Sequence, residues 1–230
     1  MNETVHYAFP TLIFEDYYED NKKFLEILSK SWEDHFYNGY SNESTNNLDI
    51  HLDVRYKDLY CFLSKSIKKY LQALNIADNF DINFVKSWFN ILGESTTPLH
   101  SHGDAHISIV YYANTPDDMG QFLRLHYFDK ERQAFPGLYD YNNSGYNEFN
   151  SRTYSINTYQ GQVVVFSSRI PHDTFGDGKI LNTPEEPVKS FYDLNKKRIC
   201  IASDIILTYK DKINKPLGLQ PVYNWRKFDE

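Results

Sequence analysis

Residues 100–113 read His100-Ser101-His102-Gly103-Asp104-Ala105-His106-Ile107-Ser108-Ile109-Val110-Tyr111-Tyr112-Ala113. A polar, histidine-dense segment runs straight into a short apolar run rich in β-branched and aromatic residues, the composition of a buried strand. Upstream, from Ile82, the hydrophobic period is two, and Phe84–Leu92 reads as a strand. Further strands are expected at Ile107–Ala113, Phe122–Phe128, Thr153–Thr158, Gln162–Phe166 and Arg198–Leu207. Gly93, Pro98, Pro116–Gly120 and Gln160-Gly161 separate them with turn chemistry.

The first 80 residues read differently. A strand-like opening, Phe9–Phe14, precedes two helical patterns. The first starts near Asp20 and repeats Phe24, Leu25, Leu28 and Trp32 at helical spacing. The second runs from about Val54 to Leu74, with Leu59, Phe62, Leu63, Ile67, Tyr70, Leu71 and Leu74 on one stripe, which predicts packing on the outside of a sheet. The Ser- and Asn-rich stretch Tyr40–Asn47 between them reads as a loop. Helices first and many short strands after give a mainly β fold with flanking α: an antiparallel barrel or sandwich with N-terminal helices on one sheet.

Composition narrows the function. Hydrophobic residues are 41% and aromatics 17%, so a core is easily supplied. The formal net charge of −7 argues against nucleic acid as a partner, because phosphate backbones need clustered Lys and Arg. The one basic cluster, Lys65, Lys68 and Lys69, has the spacing of a solvated helix face. No stretch has the length of a membrane span, and Met1–Thr4 lacks the start of a secretory signal, so a cytoplasmic chain is expected. Cys61 and Cys200 lie in apolar-periodic segments and are expected to be buried thiols.

The chemistry concentrates on a few residues. His102 and Asp104 are two apart, so an extended backbone projects both to one side. A further histidine, His172, follows the apolar run Val163–Phe166 and Pro171. An H-x-D pair with one distant histidine is the ligand set of a facial iron(II) centre. His100 and His102 are a rival local pair that suits an all-imidazole site on a cupin-like barrel. The carboxylate pairing is preferred because it lowers the charge of a ferrous site. His106 has the same parity and is read as an outer or surface residue.

Arg198 opens the last long strand, where a cation is unusual unless it faces a partner, and its planar fork suits a carboxylate. A solvated strand start beside Lys196 and Lys197 is the plainer alternative. Tyr112 is either a hydroxyl donor to the same carboxylate or a core aromatic. Trp88 and Asn90 share a face of the preceding strand and either line or pack the cavity. Two long segments, Lys130–Arg152 and Phe175–Lys197, are expected to be a lid, binding loops or surface decoration.

Taken together, the motifs resemble the iron(II)/2-oxoglutarate dioxygenase superfamily, in particular its prolyl-hydroxylase-like branch. His102-Gly103-Asp104 followed by Ile109–Asn114 is similar to the H-x-D and I-Y-Y-L-N pattern of oxygen-sensing prolyl hydroxylases. Gly120–Leu125 resembles their G-G-x-L-R-I strand, and Val165–His172 their F-x-S-x-R-x-P-H stretch. Phe9-Pro10-Thr11 and Trp88-Phe89-Asn90 resemble segments of a bacterial and phage branch of such oxygenases.

The resemblance implies a double-stranded β-helix of the jelly-roll or cupin-like kind, within one domain over 1–230. Residues 1–80 would be helical support, 81–209 the β-helix core and 210–230 a tail. It implies iron at His102, Asp104 and His172. Arg198 and Tyr112 would hold 2-oxoglutarate, with Asn90 beside them, and O₂ would be the oxidant. The implied reaction hydroxylates a small-molecule or peptidyl substrate, prolyl among the candidates, with succinate and CO₂ as coproducts. A cupin-type metal enzyme and a non-catalytic barrel are the rival readings. The spacing from His172 to Arg198 is longer than the family's usual spacing, and Lys130–Arg152 has no counterpart there.

Overall fold

The computed structural model describes residues 11–36, 43–44, 47–76, 78–92, 97–116, 122–127, 153–175, 190–194, 196–212 and 218–227. Most of the two long segments singled out above, and Phe9-Pro10, lie outside them. The elements in chain order are β1 (Phe14–Tyr17), α1 (Asn21–Phe36), β2 (Glu43–Ser44), α2 (Lys57–Ala73), β3 (Phe80–Leu92), β4 (Ile107–Asn114), β5 (Phe122–His126), β6 (Thr153–Asn157), β7 (Gln162–Ser167), β8 (His172–Phe175), α3 (Phe191–Leu194) and β9 (Arg198–Tyr209).

The strands form a six-stranded sheet, ordered β1-β7-β4-β9-β3-β2, and a three-stranded sheet, ordered β6-β5-β8. All these pairings are antiparallel. The two sheets with N-terminal helices on one of them make the double-stranded β-helix that the sequence resemblance implies. The opening strand lies later than expected, at β1, and the Tyr40–Asn47 stretch contributes β2. The short, polar β8 was not expected at all; His172 is its first residue rather than a residue just past a strand.

Alternation on the large sheet separates two cores. Phe89, Ile91, Ile109, Tyr111, Ile199 and Ile201 face the helices and pack on Phe24, Leu28, Leu59, Leu63 and Ile67. Val110, Tyr112, Val164, Phe166, Cys200 and Ala202 face the small sheet and pack on Leu123, Leu125 and Ile156. Two buried polar residues fix the helices in place. Asn21, at the start of α1, donates to the Ala113 carbonyl at 3.1 Å and accepts from the Tyr111 hydroxyl. Ser66 of α2 is fully buried and donates to Asp16 of β1 at 2.9 Å.

Each boundary of α2 has a local cause. Asp53 accepts from the Arg55 backbone amide and starts the 3-10 turn Val54–Tyr56 that leads into the helix. At the other end Asn75 takes the left-handed conformation, φ 56°, which its short polar side chain tolerates. The Asn75 and Ile76 amides then return to the Gln72 and Leu71 carbonyls, closing the last turn. The helical step turns Cys61 out of the apolar stripe, so this thiol is exposed, contrary to expectation; Cys200 is buried, and both are free. No helix among the described residues is long and apolar enough to cross a membrane.

Two register shifts matter for the site. In β3 the pairing with β9 shifts between Phe84 and Lys86, leaving Val85 as the extra residue. Phe84, opposite Ile205, packs on the helix side. Lys86, opposite Asp204, lines the cavity between the sheets. A bulge re-aims a side chain in this way, where strict alternation would keep both on one face. A second shift, between Tyr112 and Asn114 against β9, ends the inner row of β4 at Tyr112. The β6–β7 turn closes on Gly161 at φ 84°, whose amide donates to the Tyr112 carbonyl at 2.7 Å.

Candidate metal centre and cosubstrate pocket

A cavity of about 370 Å³ opens between the two sheets. Three histidines meet on its wall. His100 and His172 exchange backbone hydrogen bonds across an isolated antiparallel bridge, at 3.0 and 2.8 Å. That pairing sets their side chains beside each other, with ring centroids 4.3 Å apart. His102, two residues on, is tied by its amide to the Ser168 carbonyl at 2.9 Å. Its ring stacks on Trp88 at 5.6 Å and on His172 at 5.3 Å. One ring nitrogen from each histidine lies within 4.8 Å of those of the other two.

The hydrogen bonds around these rings fix their tautomers. Nδ1 of His100 lies 2.7 Å from the Pro98 carbonyl, and Nδ1 of His172 lies 2.9 Å from the Ile170 carbonyl. Nδ1 of His102 lies 2.7 and 2.9 Å from the two carboxylate oxygens of Asp204. Carbonyls and carboxylates only accept, so each Nδ1 carries a proton, and in a neutral ring the lone pair then sits on Nε2. The His102 Nε2 is buried with no hydrogen-bond partner among the described residues. Burial pulls the pKa of His172 down to about 4. Its imidazole is therefore neutral at ordinary pH, the form that binds a metal. Three outward-held Nδ1–H groups and three inward lone pairs are the arrangement of histidines around a divalent ion.

Of the expected iron ligands, the structure brings His102 and His172 together and adds His100, the rival partner. Asp104 stands apart. The chain turns at Gly103-Asp104 instead of continuing extended, and the Asp104 carboxylate projects to solvent. There it accepts from Lys86 Nζ at 2.6 Å, a contact that holds its pKa below the usual carboxylate range. His106 is exposed, and its Nδ1 accepts from the Leu207 amide.

Arg198 lines the same cavity and is 1% exposed. None of its three guanidinium nitrogens has a hydrogen-bond partner among the described residues. A buried, unpaired cation is costly, and a ligand carboxylate offsets that cost. The Arg198 guanidinium carbon lies 5.9 Å from the Tyr112 ring centre. Tyr112 is buried, and burial pushes its hydroxyl pKa upward, which keeps it a neutral donor. Asn90 lines the cavity opposite Cys200 and contacts its thiol. Arg198, Cys200, Ala202 and Asp204 form one inward row of β9.

Sequence reading passed over Asp204 and Lys86. Asp204 is fully buried within Ile201–Ile206, and a charge in the middle of an apolar strand is the signal that points to it.

Residues 86–177 match the family described as "Putative 2OG-Fe(II) oxygenase". Over that segment, which is less than half of its length, the chain is similar to the 2OG-Fe(II) oxygenases. The matched segment spans all three clustered histidines. No curated protein sequence matches the chain.

Among solved structures, HygX from Streptomyces hygroscopicus with nickel and 2-oxoglutarate bound is 10% identical. The match covers 85% of this chain and 82% of that one, with a TM-score of 0.50, a likeness of fold. A Pseudomonas putida prolyl-4-hydroxylase is 12% identical over 85% of this chain and 92% of that one, TM-score 0.49. A Trichoplax adhaerens prolyl hydroxylase in complex with a hypoxia inducible factor peptide fragment is 13% identical over 84% and 82%, TM-score 0.49.

Proposed function

We propose that the chain hydroxylates a small-molecule or peptidyl substrate, prolyl substrates included, and releases succinate and CO₂. In this reading iron is held by the Nε2 atoms of His100, His102 and His172, and Arg198 anchors the distal carboxylate of 2-oxoglutarate. Iron with 2-oxoglutarate and O₂ supplies the oxidising chemistry when bound. The chain's own residues orient and shield. The Trp88 stack and the Asp204 contact hold the His102 ring, and the bridge between His100 and His172 sets the spacing of the other two rings. Arg198 offers two parallel donors to a carboxylate, with the Tyr112 hydroxyl and Asn90 beside it. Val110, Leu123 and Ala202 keep the wall between apolar and restrict water.

The observation that carries this reading is the coexistence, in one cavity, of three convergent imidazoles and a buried guanidinium with no hydrogen-bond partner among the described residues. Titrating the metal-free protein anaerobically with Fe(II) and then 2-oxoglutarate tests it. A visible charge-transfer band is expected with both present. Arg198→Met should retain Fe(II) and lose the tight 2-oxoglutarate step. Equal 2-oxoglutarate affinity in wild type and R198M would overturn the cosubstrate assignment.

A second reading draws on the all-histidine cluster itself: a cupin-type metal enzyme that needs no oxo acid. Metal binding without 2-oxoglutarate-dependent O₂ uptake would select it. The Arg198 guanidinium, without a hydrogen-bond partner among the described residues, favours the first reading.

A further inference from the structure

In an iron site with one ligand carboxylate, that ligand brings a negative charge to the metal. The three clustered histidines bring none, and a carboxylate, that of Asp204, lies behind His102. Asp204 is 0% exposed and takes the Nδ1–H of His102 between its two oxygens. Ser108 Oγ donates to Asp204 Oδ1 at 3.3 Å, and Lys86 Nζ lies 3.3 Å from Oδ2. Lys86 is in turn held by Asp104 at 2.6 Å. The chain of contacts is thus His102, Asp204, Lys86, Asp104. Two carboxylates and one ammonium leave this group with a single excess negative charge. That is the charge a ligand carboxylate would bring, placed one hydrogen bond outside the metal.

We propose that Asp204 supplies the negative charge of the metal centre through His102, and that Asp104 serves it by fixing Lys86. This rests on the reading of His100, His102 and His172 as the ligands. A carboxylate on Nδ1–H makes the imidazole a stronger donor and fixes its ring. Burial matters here, because water does not screen the interaction. The bulge at Val85 is part of the device: it turns Lys86 inward, opposite Asp204. Asp204 is a positioning residue. It touches His102, and neither it nor Asp104 is needed as a ligand.

The test is anaerobic titration of metal-free wild type, Asp204→Asn and Asp104→Asn with Co(II) and with Fe(II), read by absorption, followed by the Fe(III)/Fe(II) potential of each loaded protein. Asparagine keeps the shape and an acceptor for His102 and removes only the charge. D204N should bind metal about 10- to 100-fold more weakly, the usual effect of losing such a partner. Its potential should shift to a more positive value, since the ferric state loses more from the missing charge. D104N should lose less than about 5-fold, the scale of an exposed ion pair.

Equal affinity and potential in D204N and wild type would overturn the proposal. So would loss of metal by D104N alone, which would put Asp104 on the iron. Wild type that binds no metal would overturn the ligand set as well, so the two failures are distinguishable. Should D204N not fold, Co(II)-loaded wild type gives an independent reading by proton NMR in water. One of three D₂O-exchangeable imidazole N–H resonances, that of His102, should be shifted furthest and exchange most slowly, because buried Asp204 holds it; three alike would overturn the proposal, and two in all would overturn the ligand set.

Discussion

The two faces of the large sheet are made from the same strands and follow opposite rules. On the helix face, β9 presents Ile199, Ile201 and Ile205, and Asn21 serves the fold through Tyr111 and Ala113. On the cavity face the same strand presents Arg198 and Asp204, both buried, the first with no hydrogen-bond partner among the described residues and the second in contact with a histidine. The first face gains stability from close packing. The second gives some of it up to hold charges ready for ligands. A single alternation of side chains keeps them apart, so chemistry on one face can vary without dissolving the core on the other.

Substitutions on the two faces should therefore differ in kind. The largest stability effect is expected on the helix face. Phe89→Ala removes a fully buried ring packed against His35 and Tyr56, and should cost about 3–5 kcal/mol in denaturant unfolding. A cost below about 1 kcal/mol would mean that this face is not the main core.

Acid should expose the cavity face next. Burial depresses the folded-state pKa of His172 from 6.5 to about 4, so the unfolded chain binds its proton first. Stability of the metal-free protein is then complete above pH 6.5, falls as pH drops through that value, and is fully lost from this source below pH 4. The integrated effect is about 3 kcal/mol. Burial also lowers the pKa of His35 and His51, so a residual slope remains; the slope in a His172→Gln variant should be shallower than in wild type. Identical slopes would remove the burial argument for His172.

The smallest effect has the opposite sign. Arg198→Met replaces a buried cation that has no hydrogen-bond partner among the described residues with an apolar chain of similar length, and should leave the metal-free fold unchanged or raise its stability by about 1 kcal/mol. A clear loss of stability in R198M would show that the guanidinium serves the fold rather than a ligand.

Much of this division is legible in the amino-acid order. The period of two across Phe84–Leu92, Ile107–Ala113 and Arg198–Leu207 predicts three of the strands. The helices are legible for the same reason, since their stripes repeat at helical spacing. β8 is not legible, because His172-Asp173-Thr174-Phe175 has neither length nor apolar alternation. It exists because β5 pairs along it and His100 bridges to it. The inward turn of Lys86 is hidden as well, because an unbroken alternation keeps it on the face of Phe84.

Local spacing predicted the two helices, the longer strands and a histidine-rich segment just ahead of one of them. It could not rank His100, His102 and Asp104, which share one parity and stand equal on an extended chain. Tertiary structure decided which of them meet. A backbone bridge between His100 and His172, 72 residues apart, draws the imidazoles together, while the turn at Gly103-Asp104 sends the carboxylate out to Lys86. Contacts between distant segments choose the partners because side-chain direction at a turn depends on where the chain is held, not on residue spacing.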